Sequence, residues 1–167
     1  MAKGSILHAN QEGVEVLRFV GDIRYLLAPG LEDFLETVFT DPGLKGFVID
    51  LRETLSIDST NLGILARIAK RMQLRSAERV CIVSVREDIN EVLDSLGFDE
   101  VFDIVESSKI GTNGSEELAP AAAGTAAMAR TLLDAHRTLL NLNESNQALF
   151  QEVVSTLERN SAGVAKK

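Results

Sequence analysis

The chain has 167 residues, 45% of them apolar, with 25 acidic against 17 basic side chains and a formal net charge of −8. That length and apolar content describe one globular domain able to bury a sizeable core, with room for an appendage. The acidic balance argues against a basic nucleic-acid footprint, and seven Phe, one Tyr and no Trp offer no evident base-stacking platform.

The charge is unevenly placed. Residues 1–106 hold 11 basic and 19 acidic side chains, whereas 107–167 hold 6 of each. A negative globular part can steer a basic partner and repel phosphate-rich surfaces. The single cysteine, Cys81, sits in the apolar run Val80-Cys81-Ile82-Val83 and reads as a small core residue. Met1-Ala2-Lys3-Gly4 lacks the apolar stretch of a signal peptide, and no apolar run is long enough to span a bilayer. A reducing cytoplasmic setting, without membrane insertion, is the expectation.

Residues 5–20 read as a hairpin, Ser5 to Asn10 and Val14 to Val20 joined at Gln11-Glu12-Gly13. In its second strand Leu17 and Phe19 share one face, opposite Val14, Val16 and Arg18. His8 reads as structural, without a second ligand at metal-binding spacing. Gly21-Asp22-Ile23-Arg24 ends the hairpin. Pro29 suits the first turn of a helix in which Leu31, Phe34, Leu35 and Val38 share one buried face, and Asp41-Pro42-Gly43 stops it.

Phe47 to Leu51 is an apolar run, as expected for a strand covered on both faces. After the turn that follows, a second helix runs from about Ser59 to Arg75, with Leu62, Leu65, Ile68, Ala69 and Met72 inward. Asp58, Ser59 and Thr60 fall at its start, where side-chain oxygens accept from unpaired N–H groups and the helix end favours an added anion. Arg67, Lys70, Arg71 and Arg75 form a basic stripe, either a solvated face or a partner contact. Arg79 to Val85 is a central strand, Glu87 to Leu96 a third helix with Ile89, Val92, Leu93 and Leu96 inward, and Gly97 its stop. Val101, Phe102, Ile104 and Val105 form a last strand.

The run Ile57-Asp58-Ser59-Thr60-Asn61-Leu62-Gly63, placed between a strand ending in Asp50-Leu51 and a helix, resembles the signature of the STAS family. These are the SpoIIAA-like anti-sigma factor antagonists of bacteria, and the likeness covers roughly Ser5 to Glu106. The resemblance implies a phosphorylation-controlled partner switch. Ser59 is the phosphorylated position, with Thr60 as fallback. The unmodified form binds an anti-sigma factor or serine kinase, modification releases it, and a PP2C-type serine phosphatase reverses the mark. Two positions depart from the family pattern: Asn61 stands where Gly is usual, and Arg24 where an Asp often lies near the phosphorylated serine. Asp22, Arg24, Asp58, Thr60, Asn61, Arg67 and Arg71 are the expected partner-binding residues. Some members serve instead as non-switching scaffold or adaptor subunits, including transporter accessories.

Gly111, Asn113, Gly114, Ser115, Pro120 and an Ala run make 107–124 read as a flexible linker between a STAS domain at 1–106 and a helical extension at 125–167. From Ala126 to about Arg159 the pattern is one long helix. Leu132, Leu139, Asn146 and Val153 fall at a positions and Met128, Ala135, Leu142 and Leu149 at d. The seam suits homodimerisation, folding back on the domain, or docking of a partner. The only histidines are His8 and His136, and no nucleophile elbow, Gly-rich phosphate loop or Cys/His metal cluster is present. The sequence therefore predicts a binding module with no catalytic residue, metal or cofactor. Its expected class is α/β, a STAS fold of order β-β-α-β-α-β-α-β, with a mixed sheet of four to five strands, packed helices and a C-terminal long helix.

Overall fold

Val14–Ile23 (β2) organises the sheet because its period-two pattern has an apolar residue for each face. Leu17 and Phe19 enter the main core, and Val16 enters a smaller cluster on the opposite side. Ser5–Gln11 (β1) pairs with it antiparallel, from Ser5↔Val20 to Gln11↔Val14. Glu12 and Gly13 both take positive φ, 53° and 91°, the backbone a two-residue hairpin turn requires. The computed structural model describes residues 3–108, 110 and 116–165.

Gly46–Asp50 (β3), Val80–Val83 (β5) and Phe102–Val105 (β6) extend the sheet in parallel from β2. Their crossovers contain Ala28–Phe39 (α1), Ser59–Gln73 (α2) and Glu87–Ser95 (α3). The three helices cover one face, where Phe19, Ile49, Leu65, Ile82 and Phe98 form the core. Val16, Val48 and Val83 cluster on the other face, with Cys81 and Ile110 packed against them. Cys81 is thus half-buried at the edge of that cluster, not a full core residue. Val92 is 38% exposed, so α3 buries Ile89 and Leu93 but not the third residue expected inward. Gly97 closes that helix at φ 74°, in the left-handed region.

Two strands exceed the four or five expected. Thr54–Ile57 (β4) lies inside the presumed turn and pairs in parallel with the end of β2. Asp50 shapes the step into it: its Oδ1 accepts from the Arg52 backbone N–H at 3.0 Å, and its carboxylate grips the Arg52 guanidinium at 2.9 Å. Thr54 then donates its hydroxyl to the Phe19 carbonyl at 2.7 Å. Glu116–Glu117 (β7), in the stretch read as a linker, pairs antiparallel with β1 at His8 and Leu7. The sheet order among the described residues is β6-β5-β3-β2-β1-β7, with β4 beside β2.

The C-terminal extension is two helices, Thr125–Leu140 (α4) and Glu144–Ala165 (α5), not one. Asn143 breaks the run. Its Oδ1 caps α5 by accepting from the Asn146 backbone N–H at 2.9 Å. The heptad seam breaks with it: Ala135 and Leu139 are buried, while Leu149 and Val153 are exposed. Of the three fates open to the extension, the chain adopts folding back, as a hairpin laid on α2.

Candidate functional site

The start of α2 is built from its first four residues. Asp58 is its N-cap, in extended backbone at φ −84° and ψ 168°. Its Oδ1 accepts from the Asn61 backbone N–H at 3.0 Å and from the Asn61 side-chain amide at 2.9 Å. The cap satisfies one of the helix's orphan donors and leaves Ser59 as the first helical residue, where the macrodipole is positive. One strand away, Ser56 donates its hydroxyl to Asp22 at 2.7 Å, and the Asp58 backbone N–H bonds the Ile23 carbonyl at 3.0 Å. β4 thus fixes the height of the helix start against β2.

The Ser59 hydroxyl has a partner that sequence reasoning did not assign. Its Oγ lies 2.7 Å from Nε2 of His136, on α4. His136 Nδ1 lies 2.6 Å from the Leu132 carbonyl, which only accepts, so Nδ1 carries the proton. In the neutral imidazole Nε2 then presents a lone pair, to which the Ser59 hydroxyl donates. His136 is buried, with its ring centroid 6.1 Å from that of Phe150 on α5.

Gly63 makes this approach possible. A Cβ there would overlap the Ala135 carbonyl oxygen and stand 2.6 Å from its carbon. The backbones of α2 and α4 meet at this point as small residues allow. The first two turns of α2 are consequently enclosed, and every residue from Thr60 to Ala66 is buried. Thr60, at 3% exposure, and Asn61, at 0%, are buried; Ser59 is half-buried.

Two of the other expected partner residues, Arg67 and Arg71, lie further along α2. Arg67 pairs with Glu32 of α1 at 2.5 Å. Arg71 lies 4.0 Å from Glu36 and stacks its guanidinium 3.8 Å from the Phe39 ring centroid. Both thus hold α2 to α1. Arg24 is exposed beyond β2, next to Tyr25 and Leu26, which are 46% and 69% exposed. Asp22 and Asp58 are partly exposed. Among the described residues no group of three His, Cys, Asp or Glu side chains could hold a metal ion, and no helix is long and apolar enough to cross a membrane.

Residues 6–110 match the family model described as the STAS domain. The chain belongs to the STAS family. The match takes in β2 to β6, α1 to α3 and all of β1 but Ser5, and stops before β7 and the hairpin. Two solved structures share the fold of this STAS domain. A crystal structure of an anti-sigma factor antagonist from Mycobacterium paratuberculosis is 24% identical, with TM-score 0.54, covering 63% of this chain and 87% of that one. The anti-sigma factor antagonist SpoIIAA in its unphosphorylated form is 13% identical, with TM-score 0.51, covering 62% and 87%. No curated protein matches the chain.

Proposed function

We propose that this STAS protein is an anti-sigma factor antagonist working as a partner switch. Its unmodified form binds an anti-sigma factor that is also a serine kinase, and phosphorylation of Ser59 ends the association. The observation that carries the reading is the position of Ser59: the first residue of α2, capped by Asp58, in a chain of this family. A phosphate adds about −1.5 to −2 charges and three acceptor oxygens. The helix start tolerates that charge. A docked partner would have to desolvate it beside Asp58 and Asp22, which weakens the complex. A coupling of a few kcal/mol changes affinity by about a hundredfold or more. Arg24, Tyr25 and Leu26 supply an exposed lip of mixed chemistry beside the site. The module acts by binding, in the cytoplasm, with a PP2C-type phosphatase to reverse the mark.

Phosphopeptide mapping of the protein purified from its own cells tests this. Phosphate on Ser59, absent in Ser59→Ala, is expected; phosphate on Thr60 alone, or on neither residue, refutes the assignment. Ser59→Glu is expected to lose the kinase in pulldowns that Ser59→Ala retains. A non-switching scaffold or adaptor role is the second reading. It is favoured by the His136 bond and the helix laid over Ser59. Recovery of transporter or scaffold subunits in the same pulldown, unaffected by Ser59→Glu, would support it.

A further inference from the structure

The family match ends at residue 110, yet the hydroxyl at the centre of the site is held by residue 136. We propose that the α4–α5 hairpin is an intramolecular cover on the face of α2 that Ser59 opens, and that a closed cover and a phosphate on Ser59 exclude one another. The inference rests on the reading above only in taking Ser59 as the modified residue.

Three contacts seat the cover. At Ser59 the hydroxyl oxygen lies within hydrogen-bonding reach of His136 Nε2, at 2.7 Å. At Gly63 the backbone of Ala135 fills the space a side chain would take. At the far end, the carbonyl of Leu96, at the C-terminus of α3, accepts from the side-chain amides of Asn143 at 3.1 Å and Asn146 at 3.0 Å. That carbonyl belongs to the last turn of a helix, where no intrahelical donor is available. Asn146 is fully buried, so it fixes the hairpin in one position. Ala135 and Leu139 supply the apolar part of the contact and join the main core.

Phosphorylation removes the first contact and crowds the second. The Oγ–H bond is replaced by an Oγ–P bond. The phosphoryl group comes from a nucleoside triphosphate held by the kinase, the diphosphate leaves and the hydroxyl proton is released. The modified oxygen can no longer donate to Nε2. Three further oxygens would claim the space the imidazole occupies, between α2 and a backbone already at contact distance. The cover must lift. Linkage then works in both directions: a kinase modifies Ser59 only while the cover is up, and the phosphate keeps it up. Lifting exposes the outer face of α2, at Gly63 and Ala66, together with the buried face of α4. A partner that binds the unmodified protein through α2 must displace the same hairpin, so His136 competes with it.

The test uses the full chain with phosphoserine installed genetically at position 59 and needs no kinase. Amide hydrogen exchange is followed by mass spectrometry. Peptides of α4 and the start of α5 are expected to exchange at least about tenfold faster than in the unmodified protein, with β3 and β5 unchanged. Gly63→Ala, which wedges the hairpin without adding charge, is expected to release the same peptides. The proposal is overturned if the phosphorylated chain keeps α4 protected, as it would if a protonated His136 held the phosphate in place. It is also overturned if the strands lose protection together with the hairpin, which would make α4 part of an indivisible core. The switch reading fails separately, if native protein carries no phosphate on Ser59 while the exchange results stand.

Discussion

Replacing Gly63 by Ala is the sharpest perturbation of the contact between α2 and α4. The added methyl would lie 2.6 Å from the Ala135 carbonyl carbon, whereas non-bonded carbons rest at about 3.5–4.0 Å. The obstacle is backbone, so α4 must retreat by roughly 1 Å. The 2.7 Å bond between Ser59 and His136 then stretches to about 3.7 Å, beyond hydrogen-bonding reach. Overpacking of this kind costs about 1–3 kcal/mol, and the lost hydrogen bond about 0.5–1.5 kcal/mol. Alanine also favours α2 by about 1 kcal/mol relative to glycine, but in the open and closed states alike, so the gain leaves the opening equilibrium unaltered. Opening is therefore favoured by about 2–4 kcal/mol, roughly 30- to 1,000-fold. Exchange of α4 amides reads this directly, and the sheet should be no less stable. Gly46, with nothing within 4 Å of its Cβ position, provides the control in Gly46→Ala. Unchanged α4 exchange in Gly63→Ala would refute the reasoning, because it would mean that the backbones do not meet at that glycine.

Asp58→Ala removes the acceptor for both Asn61 bonds and strands a buried amide. A loss of about 1–2 kcal/mol is expected as a lower urea midpoint at constant slope, and an unmoved midpoint would discard the cap. Burial pushes the Cys81 thiol up from its ordinary 9.0, with the Asp103 carboxylate adding to the effect. The folded chain thus holds that proton more tightly than the unfolded chain. The associated stability is present below the ordinary thiol value and lost as pH rises through the folded one. Alkylation by iodoacetamide at pH 8.5 should be slower in the native protein than in urea, and equal rates would contradict the shielding. Stability should fall more steeply above pH 9 in the wild type than in Cys81→Ala.

Elements whose residues repeat with a clear period were legible in the chain itself. Leu17 and Phe19 marked the core face of β2, and Leu31, Leu35 and Val38 marked that of α1. Asp58 announced the start of α2 because a cap is a local device. The two added strands were not legible. β4 has four residues and β7 two, too few for a period to declare itself, and both depend on partners in β2 and β1. The break between α4 and α5 is hidden in the sequence by an apolar pattern that continues across it. The heptad pattern continues through Asn141-Leu142-Asn143, and the local signal of the break is Asn143, a residue type that caps helices. His136 was visible only as one residue of a helical tail. Its link to Ser59 spans 77 positions, and no spacing rule connects residues that meet through the stacking of one helix on another. Gly63 carried the one usable hint, since an interior helix glycine often marks a close approach.

The hairpin follows, in chain order, every strand and helix it rests on. A ribosome adding about 5–20 residues per second needs roughly 2–8 s to deliver 125–165 once residue 124 has been made. Each newly made molecule thus passes through an interval in which Ser59 has emerged and His136 does not yet exist. A kinase acting on nascent chains would meet no competitor for that hydroxyl, and the phosphate would already be present when α4 is synthesised. Whether a given copy ever closes would then depend on which arrives first, the enzyme or α4 and α5.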